Sequence, residues 1–241
     1  MSDSLDESAK DKLLALVKGA IGSFPYGGSF IAELLTITIP NQRQDRVVIF
    51  LRQLAERLDI LEGQSGDILS RSDKVDFVEE GGRQAARALS TQRIGYIVEA
   101  VSRGLTSEEA EVIRRKRLLT LLGELDDDEL AMLNAYGQAY GQDMHEVREV
   151  WECIDRPEPA SLDSTTDEVD REELFEAGNA HLLRLGLLKK QYPFLRRGEL
   201  PEFDKDKGEF QHELEVSYLG RMLLREIGLP SAFDLEQEQY R

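Results

Sequence analysis

Apolar residues recur with helical spacing along much of this chain. Val47, Leu51, Leu54, Leu58 and Leu61 step by four, three, four and three, a seam that needs a partner helix to cover it. Upstream, Asp11 to Val17 carries Leu13, Leu14 and Val17 on one helical face, and Gly63-Gln-Ser-Gly66 ends the heptad helix. Ile68 to Leu105 reads as one or two more helices, interrupted at Gly81-Gly82 and closed near Gly104, because glycine is costly inside a helix. Thr106-Ser-Glu-Glu109 has the spacing of a capping box. It predicts a helix to about Leu122, carrying Val112, Ile113, Leu118, Leu119, Leu121 and Leu122. Asp126-Asp-Asp-Glu129 opens a further helix, to about Tyr140, with Leu130, Leu133 and Tyr136 inward.

The pattern changes after that. Residues 155–168 form a Pro/Ser/Thr/acid segment with little to bury and read as a linker. Arg171 to Leu185 is amphipathic through Leu174, Phe175, Leu182 and Leu185, and it stops at Gly186, a good residue for the position just past a helix end. A loop with Pro193 and Pro201 follows. Phe210, His212, Leu214 and Val216 then alternate as in a half-buried strand. A last helix starts near Ser217 and carries Leu219, Met222, Leu223 and Ile227 before Gly228.

One stretch does not fit plain core-building. Gly19 to Gly28 contains four glycines and Pro25, and it runs into Phe30, Ile31, Leu34 and Leu35. The uncharged part, Gly19 to Ala32, has 14 residues, short of the ~20 that cross a bilayer as a helix. The favoured reading is a tight hairpin in which Phe24-Pro-Tyr-Gly-Gly turns and Ile21, Phe30, Ile31, Leu34 and Leu35 pack. A segment that leaves the core to meet a membrane after a trigger is the alternative. Ile21, Phe24, Tyr26, Phe30, Ile31, Leu34 and Leu35, with Arg43 and Arg46 beyond them, are the candidate interaction residues.

Charge narrows the choice of partner. The chain carries −17, and between Glu124 and Leu185 there are 18 acidic residues against four arginines and no lysine, a local charge of −14. Such a field repels phosphate backbones and anionic lipid. Arg114-Arg-Lys-Arg117 is the strongest basic run, but four consecutive residues wrap around a helix and form no flat patch. The single cysteine, Cys153, excludes an internal disulfide. The acidic start Met-Ser-Asp-Ser-Leu-Asp-Glu lacks a secretory pattern, so a cytoplasmic location is expected.

No enzyme site assembles from these residues, and neither cofactor nor metal is expected. His145, His181 and His212 are far apart. His145-Glu-Val-Arg-Glu149 shares two residues with a zincin helix but has Glu where the second His ligand should stand. Cys153 lies among acids, the wrong setting for a thiolate nucleophile. Gly27-Gly28 lacks the Lys-Ser/Thr ending of a phosphate loop.

Two resemblances add to this. The helix ending at Leu185-Gly-Leu-Leu188, the strand, and Val216-Ser-Tyr-Leu-Gly220 resemble the second half of a winged helix-turn-helix domain, with Asp126–Tyr140 as its first helix. That implies a β-hairpin wing, but Asp167, Glu168, Asp170, Glu172, Glu173 and Glu176 stand where a DNA-reading helix needs basic or amide side chains. The apolar Ile21–Leu35 stretch, Ile39-Pro-Asn-Gln-Arg43 and the Leu-Gly-Leu tail resemble bacterial helical proteins related to the Abi-alpha abortive-infection group. The expected fold is mainly α: a helical bundle over residues 1–122 with the apolar hairpin and heptad helix, then an acidic winged-helix-like domain over 123–241 with a small β-hairpin. The expected function is non-enzymatic, in phage defence or stress response, through a protein partner or self-association. A winged-helix transcriptional regulator and a latent membrane-active, toxin-like effector are the alternatives.

Overall fold

The computed structural model describes residues 41–62, 72–141, 144–161, 163–193, 198–205 and 208–239. It is mainly helical, with nine helices among the described residues. These are α1 (Asn41–Glu62), α2 (Ser72–Arg87), α3 (Thr91–Thr106), α4 (Glu109–Glu124), α5 (Asp127–Ala139), α6 (Met144–Cys153), α7 (Thr166–Arg184), α8 (Tyr218–Glu226) and α9 (Ala232–Gln239). Short strands β1 (Leu188–Gln191), β2 (Phe203–Asp204), β3 (Glu209–Phe210) and β4 (Glu213–Val216) lie between α7 and α8. The chain divides into two compact units, one up to Glu124 together with Glu226–Gly228, the other Leu125–Arg225 with the residues from Leu229 onward.

In the first unit α1, α2 and α3 pack on one another, and α4 packs on α2 and α3. The heptad seam is inside, with Val47, Leu51, Leu54 and Leu58 buried. Gly81-Gly82 does not interrupt a helix, because α2 runs straight through it. A Cβ at Gly81 would come within 2.6 Å of Val101 Cγ2 and 2.7 Å of Phe50 Cζ, so the glycine is the floor on which the Phe50 ring sits. Gly104 does the same for Phe77, whose Cε1 lies 2.4 Å from where a Cβ would be. Two fully buried rings thus interlock with two helical glycines, and close packing offsets the helix-propensity cost of about 1 kcal/mol for each glycine. The chain breaks instead at Ala88–Ser90, where the Ser90 side chain accepts from Arg93 N–H and caps α3.

The helix start expected at Thr106 lies farther on, since α4 begins at Glu109. Thr106 is the last residue of α3, and its hydroxyl donates back to the carbonyls of Ser102 and Arg103. Ser107 closes the same helix by donating to Gly104 O. The α3 carbonyls compete for those hydroxyls and win.

In the second unit, α5 packs against α6 and α7, and α9 packs against α5. The Asp126 capping box is present with both of its hydrogen bonds. A second box, Thr165 with Glu168, starts α7 at Thr166. The expected linker over 155–168 therefore ends three residues early, since Thr-x-x-Glu supplies partners for the first amides of the helix. Leu174, placed inward from the periodicity, is 74% exposed; Leu182 carries the buried side. At Gly186, φ is 74°, and Gly186 N–H and Leu187 N–H donate to Leu183 O and Leu182 O. That double bond pattern is a Schellman closure, and it requires a left-handed residue there.

The expected strand over 209–216 is two strands separated at Gln211–His212. β4 pairs antiparallel with β1 in the register Leu188↔Val216 to Gln191↔Glu213, and β2 pairs with β3 farther out. The base of this hairpin is stapled to the helices beside it. Ser217 N–H donates to Leu187 O, the Ser217 hydroxyl donates to Gly186 O, and Gly220 N–H donates to that hydroxyl. Gly220 itself abuts the Leu187 carbonyl, whose oxygen lies 2.3 Å from a hypothetical Cβ. The Leu-Gly-Leu step and the Val-Ser-Tyr-Leu-Gly phrase, far apart in the chain, are one contact.

Candidate functional site

An open cleft of about 610 Å³ lies between α6 and α7 in the second unit. It is lined by Trp151, Phe175, Arg148 and Arg156 and by carboxylates including Glu158 and Glu176. Its back is an aromatic stack. The Tyr136 and Trp151 rings meet edge-on at 4.7 Å, and Trp151 and Phe175 at 6.3 Å. Tyr136 is buried and donates to Asn179 Oδ1 at 3.0 Å. Burial pushes its hydroxyl up to about 12, against the positive charge of Arg156.

The end of α6 explains why a cation sits over this floor. Asp155 adopts φ 50°, a left-handed conformation that Asp tolerates. Its N–H donates to Glu152 O, and Arg156 N–H reaches back to Trp151 O, the same Schellman pattern that closes α7. In that motif the residue after the left-handed one ordinarily makes an apolar contact with the residue five before it. Here the pair is Arg156 and Trp151, with the guanidinium carbon 4.8 Å from the Trp151 ring and 5.6 Å from Phe175. Neighbouring charges are tied down: Arg171 donates to Asp155 Oδ2 at 2.5 Å, Arg148 to Glu152 at 2.8 Å, and Ala160 N–H to Glu172 at 2.6 Å.

A second guanidinium on rings lies elsewhere in the unit. Arg221 stacks at 4.7–5.0 Å on Tyr140, Tyr218 and Phe233. It is 5% exposed and has Asp234 at 3.6 Å. That arrangement is filled and closed.

The outward face of α7 is acidic. Asp170, Glu173 and Glu176 step by three along it, all exposed, with Asp167 and Glu168 at the helix start. The two lysines of β1 are paired within the hairpin, Lys189 with Glu215 at 2.7 Å and Lys190 with Glu209. The hairpin does expose Tyr192, Leu200, Phe203 and Phe210. Three of the four cations in the basic run of α4 are likewise paired: Arg114 and Arg115 with Glu111, Arg115 also with Glu226, and Lys116 with Asp76.

The candidates named from the sequence fall mostly elsewhere. Ile21, Phe24, Tyr26, Phe30, Ile31, Leu34 and Leu35 lie outside the described residues, as does the side chain of Arg43. Arg46 is half-exposed on α1. His145 has its backbone in α6 but its side chain outside the described set, while His181 Nδ1 meets Glu129 at 2.5 Å. Cys153 is exposed at the end of α6. Among the described residues no three His, Cys, Asp or Glu side chains are placed to hold one metal ion, and no helix is long and apolar enough to cross a membrane. The Trp151 cleft went unread in the sequence. Its signal was the chain's single tryptophan, ahead of Asp-Arg-Pro-Glu-Pro at a helix end.

No protein-family model, curated protein or solved structure matches this chain.

Proposed function

We propose that this is a non-enzymatic interaction protein of bacterial phage defence or stress response, as its resemblance to the Abi-alpha group implies, with a winged-helix-like second unit adapted to protein contacts. The order α5, α6, α7, a β1–β4 hairpin and α8 supports the winged-helix reading. In that reading α7 is the helix that other members lay in the DNA groove. The observation carrying the proposal is the exposed row Asp170, Glu173 and Glu176 on that helix. Each carboxylate repels phosphate, whereas DNA-reading faces gain affinity from phosphate neutralisation.

The test is titration of fluorescent duplex DNA at low salt, followed by anisotropy, with light scattering of the protein alone over a range of concentrations. No DNA association at tens of micromolar protein is expected. Salt-sensitive duplex binding would overturn the proposal in favour of a transcriptional regulator.

A further inference from the structure

We infer that the cleft between α6 and α7 is a docking site for an arginine side chain of a partner protein, and that Arg156 is an internal occupant which the guest displaces. This rests on the second unit being a protein-interaction module. The cleft offers the two things that recognise a guanidinium. Trp151 and Phe175 supply ring faces on which a planar cation stacks. Glu158 and Glu176 on its walls supply acceptors for the N–H edge. A guanidinium already occupies the ring faces in the structure, at 4.8 and 5.6 Å from their centres.

What makes Arg156 an occupant rather than a fixed part is the contrast with Arg221. Arg221 is buried among three rings beside a carboxylate. Arg156 is exposed, and among the described residues no carboxylate lies within ion-pair distance of it. A residue held by ring contact alone can swing out, and a guest arginine, not tied to the backbone at residue 156, is free to lie on the rings at an angle that turns its N–H edge to Glu158 or Glu176. The partner chemistry follows from charge: the segment Glu124–Leu185, which supplies every residue lining the cleft, carries −14 and draws in a basic segment over distances comparable to the Debye length.

Trp151 is the only tryptophan in the chain, so its fluorescence reports on the cleft directly. The full-length protein is titrated at physiological salt with the peptide Gly-Arg-Gly-Arg-Gly and its lysine counterpart. A saturable change is expected with the arginine peptide, and binding about fivefold or more weaker with lysine, which is a point charge without a stacking plane. Arg156→Ala should tighten arginine binding by roughly two- to fivefold, the factor that releasing an exposed cation–π contact gives. Arg156→Lys should fall between that variant and the parent. Glu158→Gln with Glu176→Gln should weaken binding clearly more than Glu202→Gln with Glu213→Gln, which removes the same charge from the hairpin region. Weaker binding in both Arg156 variants, equal affinity for the two peptides, equal loss in the two double variants, or an unresponsive Trp151 would each overturn the inference. The DNA titration is independent of all of these, so the interaction reading and the arginine site can fail separately.

Discussion

Both units pair arginines with carboxylates, but the second also lays two of them on aromatic rings. In the first, guanidinium groups go to carboxylates: Arg57 and Arg103 both reach Glu99, at 3.1 and 2.8 Å, and Arg83 reaches Glu79 and Glu80. In the second, Arg148, Arg171 and Arg225 also meet carboxylates, but Arg156 and Arg221 lie on aromatic rings, and Asp170, Glu173 and Glu176 of α7 are exposed. A surface whose charges are paired internally has little left for a partner. A surface that stacks its cations on rings keeps its carboxylates for something else. Which surface charges remain available is therefore better read from how they are paired than from how many there are.

The comparison can be broken most sharply at the glycines. Gly220→Ala in the second unit drives a Cβ into the Leu187 backbone carbonyl, which cannot rotate away, and should cost about 3 kcal/mol or more in denaturant unfolding. Gly81→Ala in the first unit meets only side-chain tips of Val101 and Phe50 and should cost about 1–3 kcal/mol. Equal losses would mean that the hairpin staple is no stiffer than the helical packing. Among the ring-stacked cations, Arg221→Ala should destabilise by about 2 kcal/mol, since it empties a buried site beside Asp234. Arg156→Ala should cost under about 1 kcal/mol, and a loss as large as that of Arg221 would make it a structural residue.

Tyr136→Phe leaves the buried Asn179 Oδ1 without its donor and should cost about 1–2 kcal/mol. In the parent, ultraviolet titration should show one tyrosine ionising near 12 and lost from that position in the variant. Thr165→Ala should cost about 1 kcal/mol through the α7 cap. The Thr165 backbone N–H, then its hydroxyl, hold the Glu168 carboxyl below its usual range. Its contribution is thus present above the unfolded-state pKa and lost as pH falls through the folded one. Glu168→Gln should accordingly lower stability at neutral and alkaline pH, leave it unchanged below the folded-state pKa, and so flatten the acid limb between them. The smallest effect is expected from Lys116→Ala, whose ion pair with Asp76 is half-exposed on both sides. A change within about 0.5 kcal/mol is expected there.

Helix existence was legible wherever apolar spacing was strong, as in the Val47–Leu58 seam and the Asp126 cap. Tertiary demands hid the rest. Gly81 reads as a breaker until Phe50 is placed on it, and a ring arriving from another helix leaves no local trace. Thr106 and Thr165 both begin a Thr-x-x-Glu pattern; one belongs to the helix before it and the other starts the helix after it, a distinction set by which backbone groups need partners. The Trp151 cleft depends on a left-handed Asp, and Asp at a helix end has several other uses. Ser231 with Asp234, which opens α9, carried a usable cap signal in the sequence.

The staple at Ser217 and Gly220 has a consequence for how this protein can vary. Because Gly186 and Leu187 are clamped to Ser217 and Gly220 where β1 begins and β4 ends, these contacts between α7 and α8 are made without the residues between the two strands. Lengthening such a loop costs only a logarithmic increment of entropy. A tag or foreign binding loop inserted at Gly208 is therefore expected to leave the helices folded, with an unchanged far-ultraviolet circular dichroism spectrum as the check.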